Sequence, residues 1–257
     1  MCGIIAVLSR PETRAVPDAN ALLATIDGVL KQLPAGMTTL PGDDPLRAAA
    51  TAMTGVDTAL RGDAGIWLMA GNREFISALT VRLDQLDSWL LAAESLLERS
   101  TGVAAASLER SSNLLTALRD AAWSLRKDRI RTALAVDGLA GAGASRSALS
   151  AYLSIQQSFS ALDRLEVRGR DSAGVHVMVW NHGLRREDPQ VAALLGARHD
   201  DSLFTSGAVR VTRNAWSFVY KAAAEIGELG DNTRAMRATV LTDDLLRFAV
   251  SQPEARV

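Results

Sequence analysis

The chain has 257 residues, 48% of them hydrophobic, enough for one large domain or two smaller ones with real cores. Its 28 Lys and Arg nearly cancel 29 Asp and Glu, so there is no global field to draw in nucleic acid or an anionic membrane. One cysteine excludes an internal disulfide, and histidines at 176, 182 and 199 lack zinc-ligand spacing, so no metal or other cofactor is expected.

The first element is the run GIIAVL at 3–8, bounded by the breaker SRPE. Its β-branched and aliphatic residues predict a buried strand. The run is too short for a secretory signal core and has no basic segment before it. Nowhere do 18 apolar residues run together, and the expected location is the cytoplasm.

From 17 to about 160 the text turns Ala- and Leu-rich, with loops such as LPAGMTTLPGDDP and DGLAGAGASRS, which predicts a helical region. Ile76, Leu83, Leu90 and Leu97 recur every seventh residue with Leu79, Leu86 and Ala93 between them, so 73–99 is a helix with an a/d stripe. After the STG break, Leu108, Leu115 and Ala122 interleave in the same way with Ser111, Leu118 and Leu125. Two such helices joined by a short loop fold back as an antiparallel hairpin. GLAGAGASRS lacks the third glycine of a dinucleotide-binding loop and follows a helical segment, so it reads as a plain loop.

Beyond 168 the pattern becomes β-rich. VHVMVW (175–180), GAVRVT (207–212) and WSFVY (216–220) read as strands, with NHG (181–183) as a turn. A helix carrying Ala223, Ile226 and Leu229 is expected to stop at Gly230, and a last one at 233–250 carries Met236, Val240, Leu245 and Phe248.

Two segments carry chemistry. Removal of Met1 would leave Cys2 with a thiol and a free α-amine on one residue. The amine, with an ordinary pKa of about 7.7 to 8.0, can take the proton of a thiol that titrates near 8.5. The alternative is that Cys2 is a small buried hydrophobe. The second segment is RLEVRGRDSAG at 164–174: glycines allow close approach to a substrate, Arg168 offers a planar donor fork and Asp171 an acceptor. Alone it also reads as a polar turn.

Together, Met1 to Ile4 and Arg164 to Gly174 resemble the class II glutamine amidotransferases, which are N-terminal nucleophile hydrolases. The likeness is greatest to the glutaminase domain of glutamine:fructose-6-phosphate aminotransferase (isomerizing), with Val167 and Arg170 at two tyrosine positions. The resemblance implies hydrolysis of glutamine to glutamate and ammonia through a Cys2 thioester, with ammonia passing to a sugar phosphate. Arg168 and Gly169 would hold the surroundings of Cys2, and Arg168 and Asp171 would serve substrate binding.

The implied fold is α+β, a partial αββα core with a large inserted helical bundle or hairpin: 1–16 as first core strand, 17–160 as insertion, 161–257 as incomplete continuation. The family's glutamine-gripping and oxyanion segments are absent, and each oxyanion donor is worth about 10² to 10³ in rate. These residues are therefore expected to be the front piece of a longer, apparently C-terminally truncated polypeptide, poorly active alone. The implied partners are glutamine and a downstream ammonia acceptor, and a homodimer is open. The competing reading is a noncatalytic helical interaction module on a relic amidotransferase core.

Overall fold

The computed structural model describes residues 3–33, 36–100, 104–165, 172–196, 198, 205–212, 214–223 and 228–257. It is a mixed α+β protein that divides into two compact units, Glu12–Leu134 and Met1–Pro11 with Ala135–Val257.

The helical unit begins with α1 (Ala19–Gln32), opened by the Asp18 carboxylate, which accepts the Ala21 N–H at 2.7 Å. It continues through α2 (Asp43–Ala59), α3 (Gly62–Met69), α4 (Arg73–Arg99) and α5 (Ala105–Ser124), and α5 runs into a π-helical segment, Leu125–Ile130. Asn72 caps α4 by accepting the Phe75 N–H at 3.1 Å. Leu79, Leu83, Leu86, Leu90 and Ala93 of α4 are buried, as are Leu115, Leu118, Ala122 and Leu125 after it.

The interhelical ion pairs give the direction of packing. Arg119 pairs with Glu94 and Arg126 with Asp87 and Asp84, so partners descend α4 as the chain ascends α5. The two helices form an antiparallel hairpin.

Two further devices lock this unit. Arg14 donates to the carbonyls of Thr58 and Arg61 at the C-terminal end of α2, where a cation complements the exposed carbonyl dipoles. Glu12 holds that guanidinium, and the bond keeps the Glu12 carboxyl down at about 2. Asp57, only 2% exposed, accepts from Arg61 and, at 2.8 Å, from Arg129 of the π segment. In that segment the Arg131 N–H reaches back five residues to the Arg126 carbonyl, and the widened turn lets Leu125, Arg129 and Ile130 all face inward.

The chain passes to the second unit within α6 (Arg131–Ala140), and α7 (Arg146–Leu165), most of which falls in the range 17–160, belongs with the sheet. The sheet is antiparallel, in the order β1 (Ala173–Trp180), β3 (Ala215–Ala222), β2 (Val209–Val211). Val175, Val177 and Val179 of β1 alternate inward, and 215–220 of β3 are buried throughout, as suits a central strand. Beside them lie α8 (Pro189–Gly196), α9 (Asp231–Leu241) and α10 (Asp244–Ser251). Helix α7 buries nine side chains, Tyr152, Ile155 and Phe159 among them, and packs with α9, α10 and β1.

Three expectations are corrected. Residues 3–8 form no strand: Ile4 is 98% and Leu8 85% exposed, because an extended run gains nothing from β propensity without a paired neighbour. Gly230 does not stop a helix. At φ 92° it precedes α9, Ala223 is not helical, and Ile226 lies outside the described residues. The helix expected over 233–250 is two helices, broken at 242–243, where the Asp243 carboxylate accepts the Leu246 N–H at 2.9 Å and starts α10.

Candidate functional site

The sequence-derived site residues Cys2, Arg168, Gly169 and Asp171 lie outside the described residues. Their flanks are described, and all of them belong to the sheet-bearing unit. Gly3, the residue after Cys2, lies against Leu165, the last residue of α7 before the segment 166–171: a methyl group added at Gly3 would come within 2.9 Å of Leu165 Cδ2. The chain entering the one motif therefore meets the chain leaving the other.

On the far side of that segment, Ser172 leads into β1. There, Ser172, Ala173 and Gly174 with Lys221, Ala222 and Ala223 line an open depression of about 400 Å³. The β1–β3 ladder builds it, pairing Ala173 with Ala222 and Gly174 with Lys221. Gly174 has a local reason: a side chain there would press on Lys221 Cγ at 3.3 Å and the Tyr220 carbonyl at 3.4 Å. The lining thus combines small residues with the side chains of Ser172 and Lys221.

Sequence reasoning missed a buried polar cluster. Asp243, 4% exposed, accepts from the Tyr220 hydroxyl at 2.6 Å and from Arg198 at 2.8 Å. Arg198 also donates to the Gly207 carbonyl. Burial, then the Asp243 charge, raises the Tyr220 phenol well above its ordinary value. Burial likewise pushes Tyr152 up to about 12, and its fully buried hydroxyl has no hydrogen-bond partner among the described residues. The N-cap position of Asp243, ahead of the apolar run Leu245–Leu246, was the signal available in the sequence.

The described histidines are structural. His176 bonds to the Ser217 hydroxyl across the sheet, and burial followed by the Arg210 charge lowers its pKa. His182 packs on Trp216 in a tilted arrangement with ring centres 4.6 Å apart and accepts the Leu184 N–H at Nδ1. Burial lowers its pKa as well.

Among the described residues no group of three or more His, Cys, Asp or Glu side chains could hold a metal ion. No helix among them is long and apolar enough to cross a membrane. No protein-family model, curated protein or solved structure matches the chain.

Proposed function

We propose that this chain carries the glutaminase part of a class II glutamine amidotransferase of the glucosamine-6-phosphate synthase-like kind, with a partial N-terminal nucleophile core. Once Met1 is removed, the Cys2 α-amine takes the thiol proton, and the thiolate attacks the side-chain amide carbon of glutamine. The amine returns the proton to the leaving nitrogen, ammonia departs, and water hydrolyses the thioester to glutamate. Arg168 and Gly169 hold the surroundings of Cys2, and Arg168 with Asp171 binds the substrate. The ammonia goes on to a sugar phosphate bound by a downstream acceptor.

The observation that supports this reading is the contact of Gly3 with Leu165, which joins the described flanks of the two motif segments in one compact unit. The depression beginning at Ser172, the residue after Asp171, is consistent with a small amide substrate nearby.

The test is intact-mass analysis before and after incubation with a glutamine-analogue electrophile. The expected result is a protein lacking Met1 that gains one adduct, lost in Cys2→Ala while the circular dichroism spectrum stays unchanged. Met1 retained on protein that still reacts at Cys2 overturns the self-activation mechanism. An unreactive Cys2 on a processed, folded chain overturns the function.

A further inference from the structure

The outer seam of the α4–α5 hairpin has a surface that the proposed chemistry does not use. Leu91 is 66% and Trp123 55% exposed, although Leu91 lies within α4 and Trp123 where α5 runs into the π segment, both helices with buried leucines close by. Leu91 lies one turn from Asp87 and Glu94 on α4, and Trp123 one turn from Arg119 and Arg126 after it, so both fall on the face that carries the interhelical ion pairs. An apolar pair is thus bracketed at both ends by charges. Exposed tryptophan with arginine beside it is the composition of binding hot spots, whereas a solvated helix face seldom exposes a tryptophan.

The charges are also sorted. Asp84, Asp87 and Glu94 are all on α4, and their partners Arg119 and Arg126 all follow on α5 and the π segment. Such a face is complementary to itself. A two-fold axis parallel to the helices lays α4 of one copy over α5 of the other, acidic row on basic row and Leu91 on Trp123, in an isologous contact. A two-fold axis at right angles would set acid on acid and base on base, which is repulsive.

We propose that this face docks a second copy of the chain, the two hairpins closing into a four-helix arrangement about an axis parallel to α4 and α5. This inference stands apart from the glutaminase reading. The sorted charges set the register, and the Leu91–Trp123 contact supplies the desolvated centre.

Sedimentation equilibrium on the full 257-residue chain tests it. The expected result is a dimer with a dissociation constant at or below the micromolar range, weakened by about 30-fold or more in Trp123→Glu, as a hot-spot residue requires. Both side chains are exposed, so the variant keeps its fold, checked by circular dichroism. Geometry is read separately in a Cys2→Ser background with oxidised glutathione as oxidant. A Leu91→Cys chain mixed with a Trp123→Cys chain forms the cross-copy disulfide, and neither forms it alone. A monomeric parent chain, a dimer indifferent to Trp123→Glu, or disulfides between like variants instead of unlike ones each overturn the proposal.

Discussion

The Tyr220 hydroxyl donates to Asp243 Oδ2 at 2.6 Å, joining the central strand to the residue that starts α10. Asp243 does three jobs: it caps α10, receives Arg198 and satisfies a phenol that is itself fully buried. A carboxylate so deep is tolerable only because every partner is a donor.

Asp243→Ala therefore removes the acceptor from Arg198 and Tyr220 together, at an expected cost of about 3–5 kcal/mol. Tyr220→Phe leaves the Asp243–Arg198 pair in place and should cost about 1.5–3 kcal/mol, the range for a bond to a charged group. Urea unfolding followed at the sheet-bearing unit measures both. Equal losses in the two variants would mean that the carboxylate matters only through Tyr220.

Acid should weaken the same unit through His182. Its Nδ1 accepts the Leu184 N–H, so protonation there must break that bond and charge a ring packed against Trp216. The folded pKa lies below the ordinary 6.5, and burial is the cause. The unfolded chain then binds the proton first as pH falls. The contribution of neutral His182 is present above 6.5 and is lost progressively below it, toward the folded value. His182→Asn, which can still accept the N–H, should flatten the thermal-melting profile below that pH. His176, also lowered, should leave a residual slope. An unchanged slope would remove His182 from the account.

Gly65 makes the tightest glycine contact among the described residues of the helical unit. A methyl group there would sit 2.0 Å from the Leu60 carbonyl oxygen, a backbone atom that cannot swing away. Gly65→Ala is expected to cost about 3 kcal/mol or more by forcing α3 away from the end of α2, the upper end of overpacking penalties. Gly28→Ala, with nothing within 4 Å of the added carbon in the middle of α1, is the matched control and should be neutral or stabilising. Chemical denaturation of the two variants gives the comparison.

Much of the helical unit was legible because its signals are local. The stripe from Leu79 to Ala93 repeats with the helix, and Asn72 stands where a cap belongs, so α4 falls at 73–99 as expected. The strands near 175–180, 207–212 and 216–220 were legible from alternation and flanking glycines, although β2 keeps only Val209–Val211. Residues 3–8 misled because strand propensity reports a half-buried surface that the chain there does not have. The break at Asp243 was signalled only by its N-cap aspartate, against the apolar residues Met236, Val240 and Leu245 on both sides of it. Of the candidate site, only the flanks could be compared, since Cys2, Arg168, Gly169 and Asp171 are outside the described residues. The Asp243 cluster was illegible for a different reason: Arg198, Tyr220 and Asp243 meet only after the sheet and helices have packed.

The widened turn at Leu125–Ile130 acts as a spare residue stored in the helix. An α-helical course from 125 to 130 would turn Leu125 and Ile130 about 140° apart, whereas the looser winding lets both face inward beside Arg129. Deleting one residue at 127 or 128 should let the segment rewind as ordinary α-helix with its flanks near their present phase, whereas an α-helical course at full length would rotate Arg129 through Leu134 out of phase with α5. Arg129 would then leave Asp57, and the buried carboxylate would depend on Arg61, whose side chain is more than half exposed. The surplus residue thus keeps the residues on either side of it in phase within the helical unit.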